Sequence, residues 1–116
     1  MQDGEQTLIS SEMLKPLVIR SLRRSSVRKK IADYLFEISP SGSYTSEIAY
    51  NVKTTPTNVI GAIRGMNSRY SDDESLLSLN LVEQIEGGRH KDIKLYRLTN
   101  FGKEIVESLR ETKKRY

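Results

Sequence analysis

Between Thr45 and Met66 an apolar pattern is cut into two short pieces by a break too brief to let them separate. Ile48, Ala49 and Val52 recur at helical spacing, with Thr45 as the expected cap and Glu47 near the positive helix end. Lys53-Thr54 interrupts the pattern. Thr55-Pro56 restarts it, with Thr55 as cap and Pro56 at the first helical position, where a missing N–H costs nothing. Val59, Ile63 and Met66 then share one face. A helix as short as Thr45–Val52 has little stability of its own in water and must pack on a neighbour. Joined to the next helix by only a few residues, it forms an angular helix-turn-helix.

The flanking sequence completes the domain. Ser25-Ser26 opens a helix whose stripe is Val27, Ile31, Leu35 and Ile38, widened by Tyr34, and Ser39-Pro40-Ser41-Gly42-Ser43 ends it. A polar link, Asn67 to Ser75, precedes the apolar Leu76, Leu77, Leu79, Leu81 and Val82. Strands are expected over 81–86 and 93–98, joined by an open loop, Gly87 to Asp92, too long for a two-residue turn. Thr99-Asn100 caps a last helix that buries Phe101, Ile105, Val106 and Leu109. Upstream, Met13 to Leu22 reads as a short helix with Pro16 near its first turn, and residues 1 to about 13 as frayed. The expected fold is mainly α with a small β-hairpin (α+β): a winged helix-turn-helix with a three-helix core, a wing and a C-terminal helix. Residues 1–22 form an N-terminal extension, 23–110 the domain and 111–116 a basic tail.

Composition narrows the chemistry. The chain has no cysteine and one histidine, His90, which sits between Arg89 and Lys91 in a glycine-bounded turn. No thiolate nucleophile and no Cys- or His-cluster metal site can be built within one chain, and a Ser-His-Asp device has a single candidate base. Catalysis is therefore not expected, and neither is a cofactor. No apolar run approaches the roughly 18 residues that span a bilayer. The start carries Asp3 and Glu5 in place of a basic segment, so a cytoplasmic location is expected. Net charge is only +4, but it is unevenly spread: seven basic and no acidic residues from Lys15 to Lys30, three basic and eight acidic from Ile31 to Gly88, and nine basic and four acidic from Arg89 to Tyr116. Such a pattern suits one face turned toward a polyanion.

The segment TSEIAYNVKTTPTNVIGAIRGM is similar to the helix-turn-helix of MarR- and ArsR-like winged-helix regulators, and LNLVEQIEGGRHKDIKLYRLTNFGKEIVESL resembles their wing and following helix. The stretches RSLRRSSVRKKIADYL, NVIGAIRGM and RYSDDESLLSLNLVE together resemble a euryarchaeal winged-helix family that includes activators of the archaellum operon. The resemblance covers roughly Ser25 to Leu109 and implies a double-stranded DNA-binding regulator. Two departures stand out: Lys53 occupies the position where many such motifs have glycine, and the Asn67–Leu79 link is long. Asp72-Asp73-Glu74 in that link reads as a solvated loop, since hard-cation sites need more and better-spaced oxygen ligands.

With the helix 56–66 as reader, Thr57, Asn58, Ile60, Gly61 and Arg64 point toward the major groove. Asn58 suits adenine, Arg64 guanine or a phosphate, and Ile60 a thymine methyl. Gly61 and Gly65 each cost a helix roughly 1 kcal/mol relative to alanine, which points to close approach of DNA or close packing of another helix. Backbone or wing contacts are expected from Arg20, Arg23 and Arg24, from Thr45 and Ser46 at a helix N-terminus, and from Arg89, His90 and Lys91. Homodimerisation through Met13–Leu22 and the last helix is expected, matching a two-fold operator. The alternative is a winged-helix protein–protein interaction module of a transcription complex. Single-stranded or RNA binding is disfavoured because the chain lacks a spaced aromatic platform for stacking bases.

Overall fold

The computed structural model describes residues 11–65, 74–87 and 90–114. Its elements run α1 (Ser11–Arg24), α2 (Ser26–Ile38), β1 (Ser43–Tyr44), α3 (Thr45–Val52), α4 (Pro56–Arg64), β2 (Val82–Gly87), β3 (His90–Leu98) and α5 (Asn100–Lys114). The stripes read from the sequence turn toward the core, with Val27 and Ile38 partly buried and Met66 outside the described residues. Ile31 and Leu35 of α2, Ile48 of α3, and Val59 and Ile63 of α4 meet in one core, closed by Leu76, Leu81, Ile105 and Val106. At about 1.5–3 kcal/mol for each fully buried large aliphatic side chain, this shared core is what makes the eight-residue α3 persist.

Caps fall where the local chemistry places them, with one exception. Ser25 accepts from the Arg28 amide, Thr55 from the Asn58 amide at 3.1 Å and Thr99 from the Gly102 amide at 2.9 Å. The cap of α3 is Tyr44, not Thr45, and the Tyr44 side chain makes no capping bond. Pairing of Ser43-Tyr44 into the sheet holds Tyr44 extended and moves Thr45 one place into the helix. Lys53 closes α3 in the left-handed conformation, φ 59°, ψ 54°, where the Thr54 amide reaches the Ala49 carbonyl at 2.9 Å. The turn is thus tight despite the missing glycine.

α1 is longer than expected, and Pro16 lies inside it on an exposed side instead of in its first turn. Burial of Val18, Ser21 and Leu22 holds this helix in place, so the boundary drawn after residue 22 runs through an element of the common core. α5 also differs from expectation. Its apolar residues Phe101, Ile105 and Val106 are all buried, with Leu109 packed beside them, so none is left over for a dimer surface. The α5 N-terminus approaches the β2 entry so closely that a Cβ on Gly102 would lie 2.3 Å from the Leu81 carbonyl oxygen.

The sheet is antiparallel in the order β1-β3-β2. β1 was missed because two residues inside a turn-like Ser-Gly-Ser run carry no alternation. The hairpin is tighter than expected: β2 runs to Gly87 and β3 starts at His90, with Gly87 paired to His90 after a register irregularity at Glu86/Gly87. His90-Lys91-Asp92 is polar and shows none of the alternation by which a strand is recognised, yet its backbone belongs to β3.

The return from α4 is built through the backbone. Leu76 and Leu77 amides donate to the Ala62 and Ile63 carbonyls at 3.0 Å each, satisfying acceptors that a helix end otherwise leaves open. Gly65 ends α4 at φ 88°, ψ 155°, a region essentially reserved for glycine. Helix termination therefore explains Gly65, in place of the two reasons offered from sequence. A second lock lies beyond Gly65. Buried Arg28 donates to the Ser21 carbonyl at 3.1–3.2 Å and to Glu74 at 3.2 Å, Arg24 reaches the other Glu74 oxygen at 3.0 Å, and the Ser21 hydroxyl donates to the Glu74 carbonyl at 2.8 Å. Glu74 is thus an ion-pair anchor and not part of a solvated loop; Asp72 and Asp73 lie outside the described residues.

Candidate nucleic-acid interface

Helical spacing divides α4 cleanly. Val59, Ala62 and Ile63 are buried, Thr57, Asn58, Ile60 and Arg64 are exposed, and Gly61 is half-buried. α4 carries no acidic residue, and exposed Lys53 precedes it. Asn58 is held in place: its Nδ2 donates to the Thr54 hydroxyl at 2.9 Å. The second amide N–H and Oδ1 remain available, which is the donor–acceptor pair that adenine N7 and N6 require.

Arg64 departs from the outward reading. Its Nε donates to the Tyr96 hydroxyl at 3.1 Å, Nη2 donates to the Gln84 side-chain oxygen, and the guanidinium lies 6.0 Å from the Tyr96 ring centroid. The last residue of the exposed row is turned onto the sheet. Periodicity places Arg64 on a face but says nothing of where a long side chain ends.

α3 is fixed relative to α2 and β1 by a polar chain. Tyr34 and Ser43 hydroxyls lie 3.3 Å apart, Ser43 donates to Glu47 at 2.7 Å, and Asn51 donates to the Tyr34 hydroxyl at 3.3 Å. The Glu47 carboxylate is therefore engaged within the protein. Thr45 and Ser46 occupy the first positions of α3, half-buried and exposed respectively, where backbone N–H groups face outward. Two residues at this surface went unremarked in the sequence: Tyr44, 44% exposed, and Tyr50, 84% exposed. The position of Tyr50 off the Ile48-Ala49-Val52 stripe was the available signal.

The remaining candidates lie elsewhere. Arg20, Arg23 and Arg24 are exposed on α1, which packs chiefly on α2 and α5, whereas α4 packs on α2 and α3. Arg24 is committed to Glu74. Arg89 and the side chains of His90 and Lys91 lie outside the described residues, although His90 and Lys91 belong to the β3 backbone. Several basic residues that made the charge pattern uneven are paired: Lys29 with Asp33, Arg97 with Glu83, and Arg110 with Glu37 while its guanidinium sits 4.4 Å from the Phe36 ring centroid. Burial pushes the Arg28 pKa down, Glu74 partly restores it and Arg24 lowers it further. Among the described residues no cluster of three His, Asp or Glu could hold a metal ion, and no helix is long and apolar enough to cross a membrane.

Five helices with an angular α3–α4 turn, and a small antiparallel sheet whose hairpin flanks the exposed helix, define a winged helix-turn-helix fold. A solved S. aureus MepR variant bound to an oligodeoxyribonucleotide matches with a TM-score of 0.65 at 17% identity, over 99% of this chain and 78% of that one. The S. aureus MepR–DNA complex matches at 0.62 and 19%, over 93% and 81%. A Lactococcus lactis ZitR variant matches at 0.55 and 14%, over 75% of this chain but only 53% of its own length, so this chain spans about half of ZitR. These likenesses concern the fold. The particular family follows from sequence: the EarA-like family model matches residues 18–109, and the chain belongs to that family. A Methanocaldococcus jannaschii relative, MJ0905, is 45% identical over 103 residues, covering 89% of this chain and 90% of the relative.

Proposed function

We propose that this protein is a sequence-specific double-stranded DNA-binding transcription regulator that places α4 in the major groove and its hairpin on the flanking backbone or minor groove. The observation that carries this reading is the outward row of Thr57, Asn58 and Ile60 on the N-terminal half of α4, with Asn58 oriented by Thr54. In helix-turn-helix proteins that half of the second helix meets base edges. Thr45 and Ser46, at the uncapped start of α3, present backbone N–H groups to a phosphate, and Tyr44 stands beside them. Membership of the EarA-like family and the DNA-bound state of MepR support the same partner. Arg20, Arg23 and Arg24 carry no part of this reading. The protein acts as a binding protein, not an enzyme, and pairs with a second copy to match a two-fold site; exposed Met13 and Leu17 on α1 offer an apolar surface for that pairing.

Titration of fluorescent genomic duplexes at two salt concentrations tests the proposal. Affinity should fall steeply with salt, at a logarithmic slope of about −0.9 for each phosphate neutralised. Sedimentation of the complex should give two chains per site. The protein-interaction alternative draws support from exposed Tyr50 and from Ile60, 43% exposed on α4. Absence of any salt-dependent duplex binding would favour that alternative.

A further inference from the structure

We infer that Arg64 is a positioning residue that fixes the angle between the groove-reading helix and the wing, and that it reads no base. The inference rests on the DNA-binding reading above and replaces one residue role within it. Antiparallel pairing puts Ser43, Tyr96 and Gln84 in one row across the three strands, and directly paired residues point to the same face of a sheet. Ser43 and Tyr96 are buried beneath the helices, so that face looks toward the core, with Gln84 at its exposed edge. Arg64, the last residue of α4, reaches over this edge. Its Nε meets the Tyr96 hydroxyl at 3.1 Å and its Nη2 meets Gln84, so one guanidinium bridges a cross-strand pair.

Three properties make the bridge a positioning device. Guanidinium donors lie in one rigid plane, so engaging two acceptors on two strands sets orientation as well as distance. Tyr96 is 3% exposed and cannot follow a moving side chain, whereas Gln84 is exposed and held at the sheet edge. The backbone of the last α4 turn is already tied to the return segment by the Leu76 and Leu77 amides, and Arg64 adds a side-chain tie from that turn directly to the hairpin, so that α4 and the hairpin can meet one duplex together. With Nε and Nη2 committed to Tyr96 and Gln84, the Arg64 guanidinium is held against the sheet instead of standing free on the outer face of α4. Wing and helix thus engage DNA as one rigid surface.

The test compares wild type, Arg64→Ala, Arg64→Lys, Gln84→Ala and the Arg64→Ala/Gln84→Ala pair. Each is titrated against a bound duplex and a panel with every base pair substituted in turn. Arg64→Ala should weaken all duplexes by a common factor of about tenfold, lower the salt slope and leave the base preferences of α4 unchanged. Adding Gln84→Ala should weaken binding no further, and Arg64→Lys, which cannot bridge both acceptors in one plane, should restore little. Loss of preference at one base pair, or additive effects of the two alanines, would overturn the inference. Without DNA, amide exchange at Gln84 to Glu86 should quicken in Arg64→Ala while the melting temperature stays put; unchanged exchange also counts against it. A wild-type chain that binds no duplex sinks the regulator reading itself, and the exchange measurement then still decides whether the bridge holds the wing.

Discussion

Replacing Gly102 by alanine is expected to destabilise the protein by about 3 kcal/mol, although alanine is the better helix former. The two effects compete directly. Helix propensity favours alanine by up to about 1 kcal/mol, but the added Cβ would sit 2.3 Å from the Leu81 carbonyl oxygen and 3.0 Å from Leu98 Cδ2. The Leu81 carbonyl cannot retreat freely, because it accepts the Thr99 amide at 3.0 Å and lies 3.3 Å from the Thr99 hydroxyl that caps α5. Relief requires α5 to lift off the sheet, loosening Phe101 and Ile105 from the core. Urea unfolding should show a lower midpoint with an unchanged slope. A midpoint equal to or above wild type would mean that the junction of β3 and α5 is looser than described.

The second large effect is expected at Glu74. Its carboxylate is the counter-charge for Arg28, whose side chain is 10% exposed and whose guanidinium otherwise meets only the Ser21 carbonyl. Burial already disfavours the Arg28 charge, and Glu74 is what offsets this. Glu74→Ala strands a buried cation, a change that costs 3–5 kcal/mol when the pair is fully buried. Because the Glu74 side chain is 22% exposed, solvent screens part of the loss, and about 2 kcal/mol is expected, lowering Tm by roughly 10 °C. Arg24→Ala removes the other arm of the cluster, 59% exposed, and should cost under about 1 kcal/mol. Equal effects of the two substitutions would show that Arg28 does not depend on Glu74. The cluster also bears on function, since Glu74 anchors the chain returning from α4 toward the wing.

What could be read from the sequence was local. Stripes at helical spacing, Thr55-Pro56 at a helix start and Thr99 before Asn100 each report a preference of a few neighbouring residues, and the structure follows them. Family membership was legible for the same reason, in contiguous segments over the α1–α2 junction, α4 and the link that leads into β2. The misses share a different cause. β1 exists only because β3 pairs with it, and the tight hairpin depends on backbone pairing of a polar segment. Neither leaves a mark in local periodicity. α5 has no surplus apolar face because α1, α2 and β3 pack against it, a fact of tertiary packing. Arg64 shows the limit most plainly at the candidate site: spacing puts its Cα on the outer face of α4, while residues 20 and 32 positions away in sequence capture its guanidinium.

Asn58 offers the most direct trial of α4 as a reader of the major groove. Asn58→Ala should be titrated against the bound duplex and against duplexes altered one base pair at a time. The expected result is a loss of about 1–3 kcal/mol confined to one A·T pair, where wild-type discrimination disappears and the mutant treats all four pairs alike. If Asn58→Ala binds every duplex as wild type does, with each base preference intact, α4 does not lie in the groove.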